Sequence, residues 1–450
     1  MKQGWRPGFA WIVGTVLLLT QISAFAQRTG YSKEEFMRRR AALMKACLDG
    51  IVILFGDGLP SPGTHFRQDN DFFYFTGVED LNAIAAMTPR TGQTYLFLPQ
   101  QSPREKMVSG LNTLERGDGK ERLGFTDVLP VGYFEEFIAR NAKANGPAFH
   151  LRLSPRDDIS DERWESLIFL ARKNRSPFDD QISLDNYRLQ KFRANYPGVE
   201  FKDLTPAVDK MRVIKTAEEI EILRRNGRIS AEGVRQAMLA SRPGGFEYEI
   251  EGAAVGTILR SGAKGAAYAP IVGSGPNTCV WHYDDNSRQV RDGDLILMDF
   301  GADLDHLCMD ITRTWPANGK FTPEQREVYQ IVLEIEKACL EAYRPGATAE
   351  DVRRHVDEVM KKKGLDPRGE RGGFGHHVGL STHDGNAGER VLREGMVFAI
   401  EPALYYPDKN LGIRVEDTVL ITATGCEVLT RDVPKDIDEI EKLLATRKNR

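Results

Sequence analysis

Four carboxylates stand at the ends of apolar runs, and their spacing is the first chemical signal in the chain. Arg291-Asp292-Gly293-Asp294-Leu295-Ile296-Leu297-Met298-Asp299 lies over Arg393-Glu394-Gly395-Met396-Val397-Phe398-Ala399-Ile400-Glu401 at an offset of 102 positions. Each copy is a glycine turn feeding an apolar run that ends in an acid. A second acid-bearing strand follows each, with Asp310 in Met309-Asp310-Ile311-Thr312 and Glu416 in Val415-Glu416-Asp417-Thr418. The same offset lays Arg242-Pro243-Gly244 on Arg344-Pro345-Gly346 and, within one position, His282 on His383. A duplicated unit with two carboxylates per copy can bring four of them together across a pseudo-twofold axis. His376 adds an imidazole, with His377 beside it as the alternative, among glycines (Gly372, Gly373, Gly375, Gly379) that permit close backbone approach. Four half-buried acids repel one another unless cations lie between them, and two divalent ions would balance their charge. Oxygen-rich ligation with one histidine favours manganese or cobalt, with zinc admissible. Two such ions, roughly 3.5–4 Å apart, activate a water for attack on a polarised carbonyl.

Two kinds of element must position these groups. Leu295–Phe300 and Cys308–Thr314 flank a short polar turn and read as an antiparallel hairpin. With the turn centred near Leu304-Asp305, Asp299 and Asp310 would lie opposite each other. Arg414, two residues before Glu416, would face the same side of its strand. The repeated helices are marked by their caps. Thr216-Ala217-Glu218-Glu219 and Thr322-Pro323-Glu324-Gln325 are capping boxes, Tyr248 to Arg260 reads as a second helix of the first copy, and Thr348 opens one ended by Gly364.

The first part of the chain has a different pattern. Ser32 with Glu35 reads as a capping box for a helix to Cys47, Ile51–Phe55 as a buried strand between glycines, and Pro89-Arg90-Thr91-Gly92 as a hairpin turn. Residues 100–125 read as loop and poorly ordered helix, and Phe72 to Phe75 as core. No catalytic constellation is visible there. The expected class is α/β (α+β), with an N-terminal α/β domain ahead of a duplicated catalytic domain. The expected boundaries are 1–26, 27–204 (domain and linker) and 205–450.

Composition narrows the function. A chain of 450 residues with 41% hydrophobic and 28% charged residues is globular and too long for one core. The net charge of −4 and the scattered Lys and Arg exclude a nucleic-acid footprint. Residues 1–26 carry Lys2 and Arg6, a short apolar run and Ala24-Phe25-Ala26, the layout of a cleaved export signal. The run falls short of the ~20 residues of a membrane anchor, so a periplasmic or secreted protein is expected. The cysteines (Cys47, Cys279, Cys308, Cys339, Cys426) are dispersed and read mostly as small buried hydrophobes.

Several motifs also carry a resemblance. Ile271-Val272-Gly273-Ser274-Gly275, Trp281-His282-Tyr283, Met298-Asp299-Phe300-Gly301, His376-His377-Val378-Gly379-Leu380, Ala399-Ile400-Glu401-Pro402 and Arg414-Val415-Glu416-Asp417 resemble the pita-bread metallopeptidases. Within that group the chain is most similar to the Xaa-Pro aminopeptidases (aminopeptidase P), and Phe66 to Gly77 resembles their N-terminal domain. The resemblance implies that Asp299 binds one metal, Asp310 and Glu416 bridge both, and His376 (rather than His377) and Glu401 complete the other. It implies pocket roles for His282 and His383, and Arg414 as a partner of the carboxylates. The implied substrates are peptides with proline at the second position, with a prolidase acting on dipeptides as the alternative; a homo-oligomer is compatible. An X-Pro bond is a tertiary amide with no N–H, so it suits a site that needs only the carbonyl and a way to protonate the leaving nitrogen. Many relatives carry histidine where this chain has Gly372, which puts the proline-side pocket in question. A binding protein or a metal-free hydrolase on the same scaffold would have lost ligands, whereas all five positions are filled.

Overall fold

Between Gly50 and Gly56 the chain is continuously apolar, and Ile51–Phe55 (β1) forms an inner strand of a six-stranded mixed sheet. The computed structural model describes residues 30–58, 65–146, 148–173, 182–366, 375–385 and 388–449. The segment read as an export signal and Gly372 lie outside them. Ile84–Thr88 (β2) pairs antiparallel with β1 and with Gln93–Leu98 (β3), across the turn expected at Pro89-Gly92. Asp127–Pro130 (β4), Ala148–Leu151 (β5) and Glu200–Asp203 (β6) join in parallel, giving the order β4-β3-β2-β1-β5-β6. Ser32 caps the helix Lys33–Cys47, but the capping box does not close. The Glu35 carboxylate accepts instead from Arg39 Nε at 2.9 Å, while Ser32 N donates to Glu218 at 2.8 Å. Residues 100–125, read as loop and poorly ordered helix, form three short helices, Pro103–Ser109, Thr113–Arg116 and Gly119–Leu123, joined by loops.

The duplication is written in the hydrogen bonds. Gly244 N donates to Val290 O and Gly346 N to Leu392 O, each at 2.8 Å. Phe246 bridges Gln289 as Thr348 bridges Val391, again 102 positions apart. Each copy is a capped helix (Ala217–Ala240, Pro323–Ala342), a second helix (Glu247–Arg260, Ala349–Lys362) and an antiparallel sheet. In the first sheet Leu295–Phe300 lies between Ile271–Ser274 and Ile311–Pro316. In the second, Val397–Ile400 lies between His376–His377 and Asp417–Ile421.

The two parts share a core. Phe72, Phe73, Tyr74 and Phe75, on the helix Asn70–Thr76, are all buried, in one apolar cluster with Leu304, Leu307, Val378 and Leu420. The Phe73 ring stacks on His306 at 3.5 Å. The five cysteines are free thiols, three of them buried. Among the described residues no helix is long and apolar enough to cross a membrane.

The first hairpin forms, but its register differs from the expected one by two residues. Asp299 pairs with Thr312 rather than Asp310, because the turn centres on Asp305-His306, whose positive φ values of 52° and 65° suit a tight two-residue turn. A two-residue shift preserves parity, so Asp299 and Asp310 stay on one face as diagonal neighbours. Continuing the ladder sets Gly301 against Asp310, where the strands come very close: a Cβ on Gly301 would sit 1.6 Å from Met309 O. Gly301→Ala is therefore expected to destabilise the protein by at least about 2 kcal/mol, seen as a lower denaturation midpoint. An unchanged midpoint would contradict the close approach.

Candidate metal centre

Convergence of the acids follows from how the two copies touch. Asp310 N donates to Thr418 Oγ1 at 3.3 Å, and Glu416 N donates to Thr312 O at 3.0 Å. Each copy's second acid is thus held by a threonine of the other copy. Arg313, fully buried, donates to Glu416 O at 2.6 Å and to Asp417 at 2.7 Å, locking the crossing. Asp310, His376 and Glu416 then offer ligand atoms all within 4.8 Å of one another. His376 Nε2 is 3.4 Å from Asp310 Oδ2 and 3.8 Å from Glu401 Oε1. Glu401 follows Ile400, which pairs with Asp417, so the next register position sets Glu401 opposite Glu416.

Electrostatics single out the same group. Burial pushes the Asp310 carboxyl well above the usual carboxylate range, and Asp299 and Glu401 push it further. Glu416 is raised for the same reasons: burial first, then Asp310 and Asp299. Repelling acids in a dry pocket are what a divalent cation would relieve. His376 is prepared for the same task. Its Nδ1 lies 3.1 Å from His377 O, and a carbonyl can only accept, so Nδ1 carries a proton and Nε2 is the nitrogen that faces the acids. The donor set fits divalent cations.

Supporting groups complete the site. The Tyr268 hydroxyl reaches both Asp299 Oδ1 and Asp310 Oδ1, the latter at 2.5 Å, and burial with the Asp299 and Asp310 charges raises its pKa. Arg414 donates to Asp299 Oδ2 at 2.5 Å, to Thr312 Oγ1 at 3.0 Å and to the Tyr405 hydroxyl at 2.9 Å. Thr312 in turn donates to Glu416 Oε2 at 2.6 Å. Tyr268 escaped the sequence reading because it lies in a short apolar stretch of the first copy, outside the runs that repeat in the second. Thr312 lay inside a quoted motif, but only the register shift reveals its place opposite Asp299.

The two histidines expected in the pocket are placed differently. His383 packs on His376 with ring centroids 4.0 Å apart, and both line a cavity of about 450 Å³ with Trp164, Glu165, Tyr343 and Phe398. His282 is on an exposed turn beside Trp281, whose ring lies 5.7 Å from that of Tyr405. His377, the alternative ligand, is buried against Phe398, and burial and Lys215 lower its pKa to about 4. The N-terminal part, read as bearing no catalytic constellation of its own, brings Asp161 and Glu165 to His383 in a second cluster of ligand-type atoms.

Comparisons with known proteins identify the family. The model of metallopeptidase family M24 matches residues 221–423, and that of the aminopeptidase P N-terminal domain matches residues 36–150. The Xaa-Pro aminopeptidase of Escherichia coli (strain K12) is 33% identical over 453 residues, covering 92% of this chain and 98% of the relative. The mitochondrial intermediate cleaving peptidase 55 of Arabidopsis thaliana is 30% identical over 446 residues, covering 92% and 83%. The solved structure of Escherichia coli aminopeptidase P with the inhibitor Pro-Leu has a TM-score of 0.77 at 31% identity, covering 93% of this chain and 100% of that one. The chain belongs to metallopeptidase family M24. Within it, likeness over nearly the whole length places it with the pita-bread Xaa-Pro aminopeptidases.

The acid cluster has a consequence for stability. Asp310 and Glu416 hold protons more tightly folded than unfolded, so the native state carries more protons above the ordinary carboxylate range. With the metal stripped, these two groups should cost the protein about 1.4 kcal/mol per pH unit per retained proton as pH rises above the ordinary carboxylate range. Divalent ions should abolish that loss. Midpoints measured at pH 5 and 8, with and without metal, check this; equal metal-free midpoints would contradict it.

Proposed function

We propose that this chain removes an N-terminal residue preceding proline, using two divalent ions held by Asp299, Asp310, His376, Glu401 and Glu416. The carrying observation is the buried set of mutually repelling acids beside an imidazole with its Nε2 free. The full-length likeness to a Xaa-Pro aminopeptidase supports the substrate class. Manganese is the metal best suited to this oxygen-rich set.

When bound, the ions would polarise the scissile carbonyl and supply an activated water. The protein's own groups do the rest. Asp299 is oriented by Arg414 and Tyr268, and Glu416 by Thr312. Glu401, the more open of the acids, is placed to take a proton and return it to the leaving proline nitrogen. His383, half-buried on the cavity wall, would hydrogen-bond the substrate through its Nε2, and His282 would donate a hydrogen bond to the substrate carbonyl as charge develops.

We also propose that the protein acts outside the cytoplasm, after removal of residues 1–26. Its support is the basic start, the apolar run and Ala24-Phe25-Ala26. Mass spectrometry of the protein from its native host should find Gln27 as the first residue, and an intact Met1 would contradict export.

The activity test compares Xaa-Pro-Yaa, Xaa-Ala-Yaa and Xaa-Pro peptides with metal content measured alongside. The expected result is fastest cleavage of Xaa-Pro-Yaa. Cleavage of the dipeptide alone, or indifference to proline, would overturn the assignment. Asp310→Asn should lower activity more than about a hundredfold, beyond the usual cost of losing a supporting partner, while the fold persists. Near-normal turnover in that variant would show that Asp310 does not bridge.

A further inference from the structure

The loop that carries His383 belongs to the second half by sequence, yet its hydrogen bonds run to the first. Thr382 N donates to Ile159 O at 2.8 Å, and His383 N to Ser160 O at 2.9 Å. Ser381 Oγ donates to Asp158 O at 2.5 Å and accepts from Asn70 Nδ2 at 3.1 Å. The contact ends at the ring itself, where His383 Nδ1 lies 2.9 Å from Glu165 Oε2. A carboxylate can only accept, so Nδ1 carries the proton and Nε2 keeps its lone pair.

Glu165 does not hold its helix in place. Arg163, at the start of the helix Arg163–Lys173, already anchors it to Asp71 at 3.0 Å and Asp209 at 2.7 Å, and the Glu165 side chain remains 45% exposed. What the carboxylate does hold is the orientation of a ring that lines the catalytic cavity and packs on His376.

We propose that Glu165 is a positioning residue: it fixes the tautomer and ring plane of His383 from the N-terminal half, so that half builds one wall of the active site. This rests on the cavity's being the substrate cleft. A free His383 ring could rotate about its χ2 angle and present either nitrogen, and the Glu165 hydrogen bond removes that freedom before substrate arrives.

The test uses the full metal-loaded chain and an Xaa-Pro-Yaa peptide, with E165A, E165Q, H383A and the double variant E165A/H383A. E165A should lower kcat by roughly 10- to 100-fold with little change in KM, metal content or thermal midpoint. E165Q should recover most of the loss, because its amide oxygen still accepts from Nδ1–H. In the H383A background, E165A should cost less than about twofold further, since the two act as one unit. Losses that multiply across the two sites, an unchanged kcat in E165A, or an E165Q as poor as E165A would each overturn the proposal. Should the wild-type chain leave the peptide intact, the functional reading falls by itself. Nitrogen-15 histidine spectra then decide the positioning claim: a single Nδ1–H tautomer for His383 that becomes mixed in E165A upholds it, and a spectrum unmoved by E165A refutes it.

Discussion

Like charges brought together away from water set the terms for the rest of this molecule. Asp299, Asp310, Glu401 and Glu416 come from four strands, and burial together with mutual repulsion raises the proton affinity of the two most enclosed, Asp310 and Glu416. A fold accepts such a cluster only if something compensates it. Part of the compensation is built in: Arg414 on Asp299, the Tyr268 hydroxyl between Asp299 and Asp310, Thr312 on Glu416. The remainder matches the charge of divalent cations, and His376 supplies an imidazole beside them. Rigidity comes from the crossing of the two copies, where a threonine of each copy accepts from the backbone amide of the other copy's acid, Thr418 through its hydroxyl and Thr312 through its carbonyl.

The same constraint explains why the N-terminal half is interlocked with the catalytic half. The Asp71 carboxyl is buried, yet Arg163, Arg152 and Arg212 hold it far below the usual range. Arg212 also donates to Asp157 at 2.5 Å and to Asp384 at 2.6 Å, next to His383. A continuous set of buried ion pairs therefore runs from the helix Asn70–Thr76 to the rim of the site. Such pairs add little net stability by themselves, but they tolerate only one arrangement of their partners. Here that arrangement fixes the loop that faces the cavity.

Much of this was legible in the chain itself, for identifiable reasons. Helix starts at Thr216, Thr322 and Thr348 are local capping chemistry, and all three caps form. The repeat was visible because each copy needs the same glycine turn ahead of its apolar run, and Gly293 and Gly395 both adopt positive φ. The failures are equally physical. The turn at Asp305-His306 was misplaced because two non-glycine residues take left-handed backbone there, which composition does not signal. Tyr268 and Glu165 act across long sequence separations on residues that no local pattern links to them. Ser32 kept its cap but lost the reciprocal half, because Glu218 and Arg39 offered stronger partners than the local backbone.

The central claim is that acids from both copies share a pair of cations. Anomalous diffraction at the absorption edge of manganese, on crystals of the full chain grown with that ion, tests it most directly. Two adjacent peaks enclosed by Asp299, Asp310, His376, Glu401 and Glu416 are the expected result. A single peak, or ions bound only at the outer Asp161–Glu165–His383 cluster, would contradict it.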